Sequence, residues 1–422
     1  RYIGNEINAV MKDKSEVAVR FAMCFPDVYE IGMSHLGIQI LYDMFNQRDD
    51  IWCERVYSPW PDMDKVMRDK KIPLFALESQ DPVKDFDFLG ITIQYEMCYT
   101  NILQILDLSG IPLLAEKRTW DDPIVIGGGP CTYNPEPLAQ FFDIFYIGEG
   151  ETVYFQLMDL YKEERAKGSS RMEFLKKAAQ IPGLYVPALY EVCYKEDGTI
   201  ASFTPTDASV PASVEKQIVM DITDTYYPKA PVVPFIKATQ DRVVLEIQRG
   251  CIRGCRFCQA GMLYRPTRER DVEFLKQKAV EMLDATGHEE ISLSSLSSSD
   301  YSQLPELVNF LMEECDRRGV NISLPSLRID AVRRSENGSP SVLSALDKSY
   351  SLQSQTFQMV LPHGSVDNPR FPERKICLLP LLKDFQPHHF HKYVIPLLPY
   401  HAHKLAGAST DQTDKNDHHV NG

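Results

Sequence analysis

The sequence lacks several features that would assign it to a class at once. Its 422 residues contain no run of about 18 consecutive apolar residues, so we expect no membrane-spanning helix and no membrane partner. Basic residues are also scarce: 45 Lys and Arg stand against 59 Asp and Glu, a formal net charge of −14. This balance argues against nucleic acid as a partner, although a net negative charge does not exclude a local basic groove. The first residues, Arg1–Gly4, show neither a secretory leader pattern nor an initiator methionine, so we expect the true start upstream.

The sequence also has few cysteines that are regularly spaced. Scattered cysteines without a secretory leader are typical of reduced thiols in a cytoplasmic protein. Seven of the ten cysteines are of this kind, namely Cys24, Cys53, Cys98, Cys131, Cys193, Cys315 and Cys377. The other three lie within eight residues of one another and require a separate explanation.

Strand-like and helix-like segments alternate through residues 1–165. Such alternation predicts an α/β fold with a doubly wound, Rossmann-like parallel sheet covered by helices on both faces. The predicted segments are, in order, Val17–Phe25, Leu36–Asn46, Asp87–Ile93, Tyr99–Leu108, Pro123–Ile126, Asp143–Ile147 and Thr152–Lys167.

Residues 166–240 predict a helix, a hairpin and a proline-containing linker. The hairpin strands Leu184–Tyr194 and Thr199–Thr204 flank Asp197-Gly198, a strong turn signal. A second strand–helix series follows in residues 241–331. Its predicted segments are Arg242–Gln248, Asp271–Thr286, Glu290–Leu296, Tyr301–Gly319 and Asn321–Leu324.

The alternation stops after Ala331. Residues 332–422 hold eight of the ten histidines and eight of the 28 prolines. An irregular or disordered tail and a histidine-rich metal-binding tail are both compatible with this composition. We favour a truncation or a change of reading frame, because composition and periodicity change at the same point.

Three cysteines, Cys251, Cys255 and Cys258, form a C-x3-C-x2-C loop directly after an apolar strand. Three thiolates can hold three corners of a cubane iron–sulfur cluster. Because no fourth cysteine lies nearby, the remaining iron would be open to another ligand. Gly250 and Gly254 allow the backbone to fold tightly around such a cluster. A zinc site, which normally takes four ligands, and incidental core cysteines are the alternatives.

This spacing, with the aromatic Phe257 before the third cysteine, resembles the signature of the radical S-adenosylmethionine (SAM) superfamily. The resemblance implies that the three cysteines bind a [4Fe–4S] cluster, that Phe257 belongs to the cofactor site, and that the open iron chelates the amino and carboxylate groups of SAM. An electron from a low-potential donor would cleave SAM to methionine and a 5′-deoxyadenosyl radical, which abstracts hydrogen from a substrate that the sequence does not identify. The implied fold is a partial (βα)6 TIM-like barrel, here truncated or frame-shifted after about residue 331.

Members of that superfamily carry a glycine-rich segment after the second barrel strand, where it contacts the amino group of SAM. The corresponding segment here is rich in serine, so Ser294 and Ser295 are the predicted SAM-binding residues. A polar loop that caps the next helix with Ser299 or Asp300 is the alternative. Two charged residues after the third predicted strand are expected either at the same mouth or in a loop salt bridge, Arg328 and Asp330.

Two glycine segments, Gly127-Gly128-Gly129 and Gly148-Glu149-Gly150, end neighbouring predicted strands. Neither is a G-x-G-x-x-G fingerprint, but glycines at strand ends allow a bulky ligand to approach the backbone. Together with Asn134–Leu138 between them, they resemble the cobalamin-binding-type domain that precedes many radical SAM cores. The resemblance implies that cobalamin binds at the six residues of the two glycine segments. The D-x-H-x-x-G motif is absent, since no Asp precedes His35 by two residues, so we do not expect histidine to bind cobalt.

The favoured function is therefore a radical SAM enzyme, with methyl transfer or another radical modification if cobalamin also binds. A non-catalytic truncated chain and a module that binds only cobalamin or another corrinoid are the alternatives. No catalytic acid or base stands out in the sequence.

Overall fold

The computed structural model describes residues 1–327; the predictions for Arg328, Asp330 and the tail 332–422 lie outside this range. No helix in the described part of the chain is long and apolar enough to cross a membrane.

A six-stranded sheet dominates the first half of the molecule. Its strands are β1 (Val19–Phe25), β2 (Ile51–Tyr57), β3 (Phe88–Thr92), β4 (Ile124–Gly128), β5 (Ile144–Tyr146) and β6 (Leu184–Tyr185). They lie in the order β2-β1-β3-β4-β5-β6, parallel except for β6, which runs antiparallel to β5. The predicted doubly wound α/β fold is therefore confirmed for this sheet.

Helices cover both faces of this sheet. They are α1 (Tyr29–Gly32), α2 (Leu36–Asn46), α3 (Pro61–Lys70), α4 (Tyr99–Leu108), α5 (Tyr154–Lys167) and α6 (Arg171–Ala178). Alternate residues of β1 point to opposite faces, as the two-residue period of a strand requires. Phe21 joins the core that includes residues of α2, α5 and α6, whereas Ala22 joins the core that includes residues of α3 and α4.

Two long elements of this half, β2 and α3, escaped the sequence prediction, as did the single-turn helix α1. Strand β2 carries Glu54 and Arg55 at its centre, which breaks the apolar run that indicates a buried strand. Both charged side chains are nevertheless buried, because other segments of the chain supply their ion-pair partners.

The predicted strand Leu184–Tyr194 is wrong as a single element. A 3-10 turn at Pro187–Leu189 divides it, since proline removes a backbone donor from the ladder. Its first part is β6 in the large sheet. Its second part, β7 (Tyr190–Tyr194), forms the predicted hairpin with β8 (Ile200–Pro205).

A second parallel sheet follows the linker. Its three strands lie in the order β13 (Asn321–Ser323), β12 (Glu290–Ser294) and β9 (Val243–Glu246). The elements of this half are β9 (Val243–Glu246), β10 (Gln248–Arg249), α7 (Ala260–Leu263), β11 (Arg268–Glu269), α8 (Val272–Thr286), β12 (Glu290–Ser294), α9 (Leu304–Arg318) and β13 (Asn321–Ser323). The order β9, α8, β12, α9, β13 matches the predicted strand–helix series, whereas the short elements β10, α7 and β11 were not predicted. The complete barrel stays a prediction.

Candidate cofactor cleft

A cleft of about 530 Å³ lies between the two parallel sheets. The large sheet contributes the carboxyl ends of β1, β3 and β4, including Met23 and Gly128. Strands β1 and β3 are neighbours although β2 follows β1 in sequence, so the strand order reverses here. Open α/β sheets bind ligands in the crevice at such a reversal.

The second sheet turns one face towards this cleft. Val243, Leu245 and Ile247 pack in the core with α8 and α9. The residues that alternate with them line the cleft, namely Val244, Glu246 and Gln248. The strand period therefore gives this sheet one apolar face against its helices and a largely polar face towards the cleft.

Seven of the predicted cofactor-binding residues line the cleft, namely Gly128, Gly129, Gly148, Glu149, Gly150, Ser294 and Ser295. The cleft thus brings together the glycine segments of the first half and the serine segment of the second. The other two are not among its lining residues. Gly127 faces Phe142 and Phe145 in the core, and Phe257 has 92 % of its surface exposed on the cysteine loop.

Two of these glycines are required by the packing of the chain itself, which the sequence did not reveal. Gly148 has a φ of +135°, and an added Cβ would lie 2.3 Å from the carbonyl oxygen of Gln217. Gly129 has a φ of +96°, and its Cβ would lie 2.9 Å from the carbonyl oxygen of Ile93. Close packing within the chain therefore requires glycine at both positions, beside any role in ligand approach.

The cysteine loop begins at the rim of this cleft. Gly250, directly before Cys251, lines the cleft and has a φ of +82°. The Sγ of Cys251 accepts a hydrogen bond from the backbone N–H of Arg253 at 3.4 Å. The Sγ of Cys258 accepts one from the N–H of Gly261 at 3.3 Å. Amide donors of this kind favour thiolates and tune clusters bound by them.

Cys255 is exposed, while Cys251 and Cys258 are half-buried. Within residues 1–327, no three histidine, cysteine or carboxylate side chains converge as a ready-made metal site. The donor types and their backbone environment fit an iron–sulfur cluster. The ligand set itself stays a prediction.

An ion pair connects the cysteine loop to the segment after β12. The guanidinium of Arg253 donates from Nε and Nη2 to the two carboxylate oxygens of Asp300, the Nε contact being 2.9 Å. The alternative prediction, that Ser299 or Asp300 caps the next helix, is wrong, because Gln303 occupies the N-cap of α9. Asp300 instead holds the cysteine loop beside the serine segment.

Glu149 is engaged in an ion network at the floor of the cleft. Its carboxylate lies 2.7 Å from Arg268 and 3.2 Å from Arg249. Burial alone would raise the pKa of Glu149, but hydrogen bonds from Arg268 and the charge of Arg249 lower it overall. Arg249 also pairs with Glu246 and Glu151, so the network joins the two sheets. Glu149 therefore both lines the cleft and holds its two walls together.

His35 lies in the cleft wall and caps α2. Its Nδ1 accepts the backbone N–H of Ile38 at 3.2 Å. Burial lowers the pKa of His35 to about 4, against a smaller effect from a hydrogen bond with Gln94. The imidazole is therefore neutral near pH 7, and Nδ1 is occupied by the helix terminus.

The described residues thus define an α/β protein whose two parallel sheets enclose one cleft, with a three-cysteine loop at its rim. Two family models match it: radical SAM proteins, N-terminal, over residues 37–187, and the radical SAM superfamily over residues 245–350. Together they cover more than half of the chain. The chain belongs to the radical SAM superfamily.

An uncharacterised protein of Methanocaldococcus jannaschii is 28 % identical over 314 residues, which are 74 % of this chain and 56 % of that protein. The chain therefore spans little more than half the length of this relative.

Solved structures show weaker similarity. The cobalamin-dependent SAM radical enzyme OxsB, with aqua-cobalamin and SAM bound, shares 15 % identity over 72 % of this chain and 38 % of its own, with a TM-score of 0.46. The radical SAM methyltransferase TsrM from Kitasatospora setae, with cobalamin and a [4Fe–4S] cluster bound, shares 12 % identity over 72 % and 52 %, with a TM-score of 0.39. Similarities of this size carry no conclusion about the function of this chain.

Proposed function

We propose that this chain is a radical SAM enzyme that binds its cosubstrate in the cleft between the two sheets. The observation that carries the proposal is the lining of the cleft, where Gly250, next to Cys251, lies with Ser294 and Ser295. The residue before the first cysteine ligand and the segment expected to contact SAM thus share one cavity. The family membership supports the same chemistry.

Cys251, Cys255 and Cys258 would hold the [4Fe–4S] cluster. When bound there, the cluster supplies the electron that cleaves SAM to methionine and a 5′-deoxyadenosyl radical. The protein holds the cysteine loop in place through Arg253 and Asp300 and donates backbone N–H groups to two of the sulfurs. Burial of the cosubstrate between the sheets would exclude water from the reacting atoms.

Cobalamin is the second cofactor that we propose, against the carboxyl ends of the large sheet. The strand-order reversal between β1 and β3 and the lining residues Gly128, Gly148 and Gly150 support this position. His35 would not be its metal ligand, because Nδ1 accepts the N–H of Ile38 and the neutral ring then carries its hydrogen on Nε2. Cobalamin would supply a carrier for methyl transfer or another radical modification, with the substrate unassigned.

The decisive experiment is anaerobic reconstitution of the purified chain with iron and sulfide, followed by SAM and a low-potential reductant. We expect about four irons per chain, as a [4Fe–4S] cluster requires, and release of 5′-deoxyadenosine. Cys255→Ala should lose the iron and the product. Cys193→Ala removes an exposed cysteine from the β7–β8 hairpin and should retain both.

The alternatives give different results in the same experiment. Uptake of zinc in place of iron would overturn the proposal. Iron uptake without cleavage of SAM would favour a non-catalytic chain. Binding of cobalamin by a protein that takes up no iron would indicate a corrinoid-binding module, so added hydroxocobalamin is followed by its visible absorbance after gel filtration.

A further inference from the structure

Lys216 is a linker residue in the cleft wall that no part of the sequence interpretation used. Arg249 is the other basic residue that lines the cleft within residues 1–327, and three carboxylates pair with its guanidinium. Lys216 forms no ion pair within the same range, because its ammonium contacts carbonyl oxygens instead. It is therefore the uncompensated positive charge of the described cleft wall.

The ammonium of Lys216 holds the segment that follows the third cysteine. Its Nζ donates to the backbone carbonyl of Leu263 and, at 3.3 Å, to that of Arg265. The hydroxyl of Tyr133 donates to the same Leu263 carbonyl at 3.4 Å, and Nζ lies 5.4 Å from the centre of the Tyr133 ring. Leu263 ends α7, and carbonyls at the end of a helix have no partner within it. Two side chains from outside the helix thus satisfy this end.

The backbone beside Lys216 is fixed to the large sheet. The N–H of Gln217, the next residue, donates to the carbonyl of Ile147 at 3.0 Å. The carbonyl of Gln217 accepts from the N–H of Glu149, also at 3.0 Å. Lys216 therefore reaches the cysteine loop from a backbone that is anchored at the end of β5, and it connects the first half of the described chain to that loop.

Helix α7 is a short connection between this lysine and the cysteines. At its start, the N–H of Gly261 donates to the Sγ of Cys258 at 3.3 Å. The carbonyl of Leu263 lies at the other end of the same turn, about 5.4 Å along the axis, so the ammonium is on the order of 10 Å from this sulfur. Gly250, which precedes the first cysteine, packs against the same segment, since an added Cβ would lie 2.6 Å from the carbonyl oxygen of Tyr264. The positive charge thus lies beside both ends of the cysteine loop.

A positive charge at this distance matters for a cluster that thiolates bind. A [4Fe–4S] group with three thiolates is negative, and one electron from a low-potential donor adds another unit of negative charge. A nearby cation therefore stabilises the reduced form more than the oxidised form. At about 10 Å and an effective dielectric constant of about 20, the attraction changes the equilibrium between the two forms by about tenfold.

We propose that Lys216 positions the cysteine loop and raises the reduction potential of the cluster bound there. This inference rests on the proposed function, because it requires the cluster at Cys251, Cys255 and Cys258. Lys216 acts through the carbonyls that it holds and through its charge, so it is a positioning residue. Its removal should therefore change the ease with which the low-potential donor reduces the cluster.

The test is an anaerobic redox titration of the reconstituted full chain, with the reduced cluster followed by electron paramagnetic resonance. Lys216→Met keeps most of the side-chain length and removes both the donors and the charge. We expect the ratio of reduced to oxidised cluster at a given potential to fall about tenfold, which is about 59 mV for a one-electron couple. Lys216→Arg keeps a charged donor and should restore most of the ratio. Iron content is measured in parallel.

Lys229→Met is the matched control, because Lys229 is an exposed lysine of the same linker. It changes the net charge of the chain by the same amount and should leave the potential unchanged. If Lys216→Met takes up no iron, Lys216→Gln replaces it, since this amide can still donate to a carbonyl but has no charge. The same fall in the ratio is expected for that variant.

Amide hydrogen exchange gives a second measurement on the chain before iron is added. In Lys216→Met, exchange at residues 261–266 should be faster than in the wild type, because the end of α7 has lost a donor. Lys229→Met should leave this segment unchanged. This measurement tests the anchoring of the loop without the cluster.

An unchanged potential in the uncharged variants at position 216 would overturn the inference, and so would equal shifts in Lys216→Met and Lys229→Met. Faster exchange with an unchanged potential would show a merely structural contact and would also overturn it. In each case cleavage of SAM by the wild type would leave the proposed function standing. Failure of the wild-type protein to take up iron would remove the proposed function and this inference together.

Discussion

Glu54 and Arg55, two charged residues at the centre of β2, are buried as deeply as the apolar residues beside them. Arg55 lies 2.8 Å from Glu6 and 2.6 Å from Glu78, so one guanidinium serves two buried carboxylates. Removing one partner from such a group leaves an unpaired charge in a low-dielectric environment. The N-terminal segment, which contributes Glu6, is held to the sheet by this contact.

Arg55→Met should therefore destabilise the protein by about 3–5 kcal/mol, measured by urea denaturation near pH 7. Lys65→Met breaks an exposed pair with Asp69 and should change the free energy of unfolding little. Equal effects of the two variants would show that the buried arginine has no special role in stability.

The loss of stability in Arg55→Met should depend on pH through the titration of Glu6. Burial alone would raise the pKa of Glu6, but the charge and hydrogen bonds of Arg55 lower it overall. The stabilisation from Glu6 is thus complete above the ordinary carboxyl pKa and is lost as the pH falls through the lowered one. In Arg55→Met, burial without the arginine would raise the pKa of Glu6 above its ordinary value. The difference in stability between wild type and variant should therefore narrow as the buffer is acidified.

Single residues of the candidate site were predictable only where their chemistry forms a motif. The cysteine spacing and the glycine segments have such patterns, and most of these glycines line the cleft. Asp300 has none, because its role comes from an ion pair with Arg253, which is 47 residues away in the sequence. No local pattern reports such a contact.

At the scale of elements, the linker before Arg242 packs against both halves of the described chain. The backbone N–H of Gln217 donates to Ile147 at 3.0 Å, and its carbonyl accepts from Glu149 at 3.0 Å. Tyr227 is buried in the core of the second sheet. The linker thus adds an extended segment beside the Gly148 loop, which is why that position excludes a side chain.

Gly148→Ala should displace this segment. The substituted residue would combine an unfavourable positive φ with a 2.3 Å contact to Gln217. Gly168→Ala is the control, because Gly168 also has a positive φ, +71°, but faces open space. We expect Gly168→Ala to cost about 1 kcal/mol and Gly148→Ala clearly more, both read from thermal and urea unfolding. Similar costs would mean that the linker gives way without strain.

Helices and strands with regular apolar spacing were predicted to within a few residues, as α2 and α4 show. β2 was missed because its charged residues break the apolar pattern of a buried strand. Their ion-pair partners lie in segments that are distant in the sequence. The course of the linker was missed because its contacts are backbone hydrogen bonds, which leave no pattern of side chains. Local periodicity reports only which face a segment buries.

At the scale of the whole molecule, the two sheets are joined by charge across the cleft floor. Burial would raise the pKa of Glu246, but the charges of Arg249 and Arg270 lower it overall. Arg249 contacts carboxylates on both sides, from the loop after β5 and from β9. A single guanidinium therefore contacts both walls of the cleft.

Arg249→Gln should loosen the cleft without unfolding either sheet. We expect faster amide hydrogen exchange at residues 148–151 and in the linker segment 215–219, with protection of β1 and β3 unchanged. Arg242→Gln breaks a pair with Glu290 at the opposite end of β9 and should leave the cleft segments protected. Unaltered exchange in the Arg249 variant would show that packing alone holds the sheets together.

The β7–β8 hairpin has a practical consequence for work on this protein. Its turn, Lys195–Gly198, is exposed, and the contacts of Gly148 with Gln217 and of Glu149 with Arg249 join residues before the turn to residues after it. A protease site inserted at this turn would sever the polypeptide while leaving these contacts intact. The two fragments would then remain associated, which offers a way to label either half separately and recombine them.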